Sequence, residues 1–412
     1  MIKLLQINSV VNTGSTGRIA EDIGEYVMSM GWESYIAYGR YGNKSNSKLI
    51  RFGSKCSNYN HVLLTRLFDK HGFGSKSATQ NLIQKIETIN PDIIHLHNLH
   101  GYYINLQVLF NYLSTKTTPV IWTLHDCWSF TGHCVHFENI QCLKWQVLCT
   151  KCPQKKSYPK SLLYDNSNIN YLMKKELFNS VKNLTIVPVS YWLQNLVEKS
   201  FLNKKNIKTI HNGVDTKIFN NIKSKSVIDL YNLQDKFIIL GVANIWGNGK
   251  GLNDFIKLSN YTNKDEIIVL IGLNNNQIKS LPDNILGIKQ TESVSELCDF
   301  YCAADVFVNP TYQDSFGLVN IESLSCGTPV ITYQTGGSPE TISDETGIVV
   351  EQGNIKGLLN AIRHIKDLTK EHYSDACIQR AQKVFDKNLK YKEYFDLYND
   401  LLKTVAEDNT PN

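Results

Sequence analysis

Short apolar runs alternate with longer stretches in which apolar residues recur at helical spacing, from one end of the chain to the other. The short runs read as buried strands and the stretches between them as amphipathic helices. In the first half, strands are predicted at Lys3–Ile7, Glu33–Gly39, Asp92–His97, Pro119–His125 and Thr185–Ser190. Helices are predicted from the turn Asn12–Arg18 to Met30, and over Asn81–Ile89, Tyr164–Val181 and Tyr191–Phe201. Residues 40–60 are polar and are expected to form an exposed loop. In the second half, strands are predicted at Phe237–Ala243, Ile267–Gly272, Val306–Asn309 and Pro329–Tyr333. The helices there fall near 251–260, 294–303, 317–326 and 354–367, with a last one over Asn388–Lys403. Such alternation builds doubly wound α/β sheets. A chain of 412 residues is too long for one ordinary core, so two domains are expected, joined at the polar run Asn220–Ser226.

Composition narrows the class. Hydrophobic residues make up 42% and charged residues 20%, the balance of a soluble globular protein. No apolar run reaches the length of a membrane span, and Met1–Asn8 reads as a strand and not as a signal peptide, so a cytoplasmic protein is expected. The formal charge of +5 is small and dispersed. It argues against nucleic acid and for a solvated surface, with at most weak attraction to an anionic membrane or a phosphorylated acceptor. Ten cysteines in such a chain are expected as thiols or metal ligands rather than disulfides.

The candidate chemistry centres on Asp314–Pro329, a loop that becomes a helix. Gly317 sits near the turn, Leu318, Ile321 and Leu324 share one face, and Gly327 and Pro329 end the helix. The first turn of a helix offers unpaired N–H groups to an anion, and a carboxylate further along can accept from sugar hydroxyls. Asp314 and Glu322 bracket that arrangement. G-N-G-K-G at Gly247–Gly251 places Lys250 in a glycine loop that opens a helix, a diphosphate site in physical terms. Gly14 and Gly17, after the first strand, allow a ligand close to the backbone but lack dinucleotide spacing; they serve equally well as a plain chain reversal. His97, His125 and Asp126 stand at C-terminal strand ends, where α/β sheets gather their chemistry. Cys134, Cys142, Cys149 and Cys152 follow in a C-x7-C-x6-C-x2-C pattern, with His133 and His136 as substitute ligands. They read either as a structural zinc site converging after the His125 strand or as unliganded thiols in a small insertion.

Four motifs occur in one order: N-G-V-D at Asn212–Asp215, K-G at Lys250–Gly251, D-x7-E at Asp314–Glu322 and T-G-G-S-P-E at Thr335–Glu340. In that order they resemble the GT4-type family of retaining glycosyltransferases, of the polysaccharide-biosynthesis type. The resemblance covers nearly the whole chain. It implies the GT-B fold: two Rossmann-like doubly wound α/β domains facing a central cleft, here 1–215 (acceptor side, with a Cys-rich insertion at 126–153) and 216–387 (donor side), and a C-terminal helix, 388–412, crossing back to the first. It further implies transfer of a sugar from a nucleotide-diphosphate sugar (UDP- or GDP-linked) to a saccharide or polyprenyl-linked acceptor, at the inner face of the cytoplasmic membrane, in exopolysaccharide, capsule or O-antigen assembly. No divalent metal is required for the family's front-side substitution. In the roles implied, His125 of T-L-H lies beside the donor sugar, Lys250 and the N–H groups of Phe316, Gly317 and Leu318 hold the diphosphate, Glu322 takes the ribose and Asp314 the transferred sugar. Gly14, Gly17, Asn244 and Ser315 complete the donor-binding set. The H-D-x-W-x-F-T-G segment that precedes the cysteines is similar to one in related sugar transferases and points to an acceptor-side loop. Two positions depart from the family: Asp314 replaces glutamate, and Asn244 stands where the family has arginine. Those departures motivate the alternative, a GT-B protein that binds nucleotide sugar without transferring it; a phosphorylase or an epimerase shares the architecture.

Overall fold

The computed structural model describes residues 1–222, 226–247 and 249–408. Part of the expected linker (223–225), one residue of the glycine loop (Asn248) and the end of the C-terminal segment (409–412) lie outside the described residues. Thirteen strands form among these residues: β1 Lys3–Asn8, β2 Glu33–Tyr38, β3 Lys48–Arg51, β4 Ile93–Leu96, β5 Val120–Leu124, β6 Leu184–Pro188 and β7 Asn206–Ile207, then β8 Phe237–Val242, β9 Glu266–Ile271, β10 Ile285–Ile288, β11 Val306–Asn309, β12 Val330–Tyr333 and β13 Gly347–Val350. They build two sheets, ordered β3-β2-β1-β4-β5-β6-β7 and β10-β9-β8-β11-β12-β13. Every pairing is parallel. The chain divides into a unit of Met1–Ile210 with Tyr391–Asn412 and a unit of His211–Lys390.

In the first unit, one face of the sheet packs Leu4, Ile93, Ile121 and Val187 against Ile19, Ile23 and Val27 of helix Gly14–Ser29, and against Tyr391, Tyr394, Leu397 and Tyr398 of helix Lys387–Asp408. The C-terminal helix also bonds to the sheet. Tyr398 Oη meets His95 Nδ1 at 2.7 Å, and Tyr394 Oη meets Thr123 Oγ1 at 3.0 Å. The other face carries Phe110, Trp122 and Phe178, with ring centroids 4.5–5.7 Å apart. Residues 40–60 are not the exposed loop expected. They contain β3 and the start of helix Lys55–Phe68, because Lys48–Arg51 pairs with β2 as an edge strand whose side chains stay largely outside.

The second unit has strand order 3-2-1-4-5-6 counted from its own first strand, and the order reverses between β8 and β11. A crevice opens at the carboxyl ends of strands at such a reversal. The loop after β8 carries Lys250 and the loop after β11 carries Asp314. Val214 pairs with Asp386, and Asp215 with Lys387 at 2.7 Å, so the N-G-V-D segment belongs to this unit.

Candidate active site

Gly251 ends the Lys250 loop with φ +77, and a Cβ there would stand 2.2 Å from the Pro310 carbonyl oxygen. Only glycine lets this loop lie against the start of the β11 loop. Across the contact, Lys250 Nζ reaches Asp314 Oδ2 at 3.1 Å and the Gln313 carbonyl at 3.4 Å. Asp314 Oδ1 accepts from the N–H groups of Phe316 (3.3 Å) and Gly317 (3.0 Å). A cation and the amides that lead into helix Leu318–Ser325 therefore converge on one carboxylate. The same donors suit a phosphate oxygen. Ser315 is buried there, and its Oγ has no hydrogen-bond partner among the described residues.

Gly317 has φ +92, and a Cβ would press on Asn320 Nδ2 at 2.9 Å. That amide is buried and donates to Ser338 Oγ and Thr341 Oγ1, both at 2.9 Å, while Asn320 Oδ1 accepts from Asn309. The network ties the helix to the T-G-G-S-P-E turn. Glu322 is half-buried on the same helix and accepts from the Tyr301 hydroxyl at 2.9 Å. Burial first, and the Glu322 charge second, hold the Tyr301 phenol well above its ordinary range. His211 Nε2 lies 3.0 Å from Glu340 Oε2, and its ring stacks on Phe316 at 5.4 Å. The K-G and T-G-G-S-P-E motifs thus both reach the D-x7-E motif at Asp314, through the Lys250 ammonium and the Gly337 N–H. Asn244 lies exposed in the loop after β8.

In the first unit, His97 and His125 stack with centroids 5.8 Å apart, but their surroundings differ. His97 Nε2 is bonded to Gln6 Oε1 at 2.9 Å. His125 Nε2 is buried without a hydrogen-bond partner among the described residues. Burial lowers the His125 pKa to about 4, the nearby Asp126 charge offsetting only part of that, so the ring is neutral. Asp126 bonds His100 Nε2 at 2.6 Å. Burial alone would raise the Asp126 carboxyl, but His100 and the Trp128 amide outweigh it and bring it to about 2. Gly14 (φ +61) opens helix Gly14–Ser29, and a Cβ at Gly17 would stand 3.1 Å from Val10 Cγ2.

The four cysteines of the C-x7-C-x6-C-x2-C pattern line one cavity of ≈ 20 Å³ together with His133. No three of their sulfurs close to within 4.8 Å of one another; among the described residues the group that does is Cys298, Cys302 and Cys326. The sequence reading missed that buried triad, although Cys298 and Cys302 are four apart on helix Val294–Ala303 and so share a face. It also missed the His211–Glu340 and Tyr301–Glu322 pairs, which have no local signal.

Comparison with known proteins decides what this arrangement belongs to. Residues 16–218 match the family described as Glycosyltransferase Family 4, and residues 236–367 match Glycosyl transferases group 1. The chain belongs to the group 1/family 4 glycosyltransferases. An Escherichia coli (strain K12) protein named for colanic acid biosynthesis glycosyl transfer, WcaC, is 26% identical over 228 residues, 52% of this chain and 55% of that protein. The capsular polysaccharide biosynthesis glycosyltransferase CapM of Staphylococcus aureus is 27% identical over 264 residues, 57% of this chain and 65% of CapM. The matched stretches thus span under two thirds of both relatives. The solved structure of Anabaena Alr3699/HepE in complex with UDP superposes with a TM-score of 0.69 at 14% identity, covering 97% of this chain and 100% of that one. At that identity the likeness establishes the GT-B fold.

Proposed function

We propose that this glycosyltransferase moves a sugar, with retention at the anomeric carbon, from a nucleotide-diphosphate sugar to a saccharide or lipid-linked saccharide acceptor in surface-polysaccharide assembly. The carrying observation is the convergence of Lys250 with the Phe316 and Gly317 amides on one anion, at the strand-order reversal of the second unit. In transfer, negative charge grows on the departing diphosphate, and pre-positioned donors of this kind stabilise it. The diphosphate would take over Lys250 from Asp314, freeing that carboxylate to face the transferred sugar, and Glu322 would accept from the ribose hydroxyls. UDP, present in the HepE complex, supports a uridine donor. The WcaC and CapM matches support a polysaccharide acceptor. Catalysis of this type asks for no divalent metal, because Lys250 and the amides carry the leaving-group charge. No described helix is long and apolar enough to cross a membrane, and we place the acceptor reaction at the cytoplasmic membrane face.

A panel of UDP- and GDP-sugars tested by thermal shift, followed by transfer assays with polyprenyl-linked acceptors, examines this reading. One donor should stabilise the protein and be consumed with sugar transfer. Stabilisation without turnover across the panel would favour the non-catalytic alternative, and no stabilisation by any nucleotide sugar would overturn both.

A further inference from the structure

Between β5 and helix Ser167–Ser180 the chain forms only short 3₁₀ turns, at Trp128–Phe130, Glu138–Ile140 and Lys144–Gln146. Its buried aromatic residues include a small cluster of Phe130, Phe137 and Trp145, with centroids 5.0–6.4 Å apart. Beside that cluster is the cavity lined by His133, Cys134, Cys142, Cys149 and Cys152. Cys152 is the strongest influence on the Cys134 thiol, which it raises together with burial. The backbone N–H of Gly132 points at Cys149 Sγ at 3.3 Å, and the Gln154 backbone acts to lower the Cys152 thiol. Asp165 holds the Cys152 amide at 2.6 Å, which fixes the C-x2-C turn.

His133 is the decisive member. Its side chain is 0% exposed, and Nδ1 lies 2.6 Å from Asp69 Oδ1, whose side chain is equally buried. Its Nε2 is buried with no hydrogen-bond partner among the described residues, and the residue lines the thiol cavity. A buried imidazole nitrogen without a partner is costly. A carboxylate on the far nitrogen is how a metal-binding histidine is oriented. Lys174 is a second sign. Its ammonium is buried and donates to the Trp128 and Thr131 carbonyls, and Cys149, Asp126, Cys134 and Asp69 lie within its electrostatic reach. Three thiolates and an imidazole around a divalent ion carry one net negative charge, which would add to those two carboxylates in facing that lysine.

We propose that this cavity is a structural zinc site in which Cys134, Cys149 and Cys152 supply thiolates and His133 supplies Nε2. Binding releases the three thiol protons to solvent, and the side chains close up from their present positions, in which no three of the four ligand atoms lie within 4.8 Å of one another, until each sulfur stands about 2.3 Å from the ion. Cys142, at the same cavity, is outside the ligand set. The ion orders the segment that carries Asp126 and its His100 contact, beside His125.

The test uses the full chain. Purified protein should contain stoichiometric zinc, lose thermal stability on chelation, and show thiolate-to-metal charge transfer when cobalt replaces zinc. Cys152→Ser and His133→Ala should lose the metal, while Cys142→Ser and Cys56→Ser keep it. Asp69→Asn should weaken zinc in chelator competition by roughly 10–100-fold, as the loss of an orienting carboxylate does. Metal-free protein with fully reactive thiols, or iron in place of zinc, overturns the site. Retention in His133→Ala with loss in Cys142→Ser overturns the ligand set in favour of four sulfurs. If a variant fails to fold, the cobalt spectrum of the unaltered chain still separates sulfur-only from mixed coordination.

Discussion

Asp314 is one methylene shorter than the glutamate its family carries, and the structure shows where that carboxylate goes: onto Lys250 and the two amides that precede the helix. The pair is 38% and 19% exposed, so it contributes little to stability. Its worth lies in holding Lys250 where a diphosphate would arrive. Lys250→Ala should therefore leave the melting temperature nearly unchanged while lowering kcat roughly 10²–10³-fold, the loss typical of one transition-state donor. Steady-state kinetics with the stabilising donor check this, and near-normal turnover would remove Lys250 from the reaction. Residue chemistry also sets the acid limit of the fold. Burial lowers His61 and His95 to about 3 and His125 to about 4. A histidine depressed in the folded state contributes its stability above its unfolded pKa of about 6.5 and loses it as pH falls towards the folded value. Each of the three should cost about 1.4 kcal/mol per pH unit across that window. Urea midpoints should thus fall steeply from pH 6.5 to 4, and His95→Gln should flatten the slope; a flat profile would mean that these rings are already protonated in the fold. The pairings that make these residues matter were not legible in sequence. His211 and Glu340 are 129 residues apart, and His133 and Asp69 are 64 apart, separations across which no periodicity carries information.

Elements were legible in proportion to their burial. The strands beside the order reversal, β8 and β11, are apolar on both faces and read directly from the chain. The four strands that the pattern did not give are β3, β7, β10 and β13, and all four are sheet edges. An edge strand is short and shows one side to water, so it lacks the continuous apolar run that marks a central one. The loop-to-helix elements of the donor site were legible for a different reason: their glycines are demanded by geometry. Gly251→Ala must move the Pro310 carbonyl or abandon φ +77. It should destabilise the second unit by more than the roughly 1 kcal/mol usual for a left-handed glycine, and should abolish donor binding, which calorimetry would register. The C-terminal helix makes a graded prediction. Tyr398 is fully buried against Trp32 and bonds His95. Tyr398→Phe removes the hydroxyl and should cost about 1–3 kcal/mol, whereas Tyr398→Ala also opens a cavity and should cost about 3–5 kcal/mol. Equal losses in denaturant titrations would mean that the ring itself contributes nothing.

At the scale of the molecule, the chain makes one unit from Met1–Ile210 and Tyr391–Asn412 and the other from the continuous stretch His211–Lys390. Each has its own parallel sheet and its own buried core, the condition for separate cooperative transitions. The tryptophans divide unevenly between them. Trp32, Trp122, Trp128, Trp145 and Trp192 belong to the first unit, and Trp246 alone to the second. Trp246 is buried in the loop after β8, bonded to the Ile271 carbonyl at 2.8 Å and packed on Phe255, four residues from Lys250. A nucleotide sugar at a hundredfold excess over its Kd should stabilise the unit that binds it by about 2.7 kcal/mol. Thermal unfolding followed by tryptophan fluorescence should then show a donor-dependent shift that rests on Trp246. In Trp246→Phe, the fluorescence transition should become insensitive to donor, while circular dichroism still records the shift of the second unit. If fluorescence in Trp246→Phe moves with donor as far as the dichroism does, the two units unfold as one, and the stabilisation has to be assigned to the whole chain instead of to the sheet that carries Lys250.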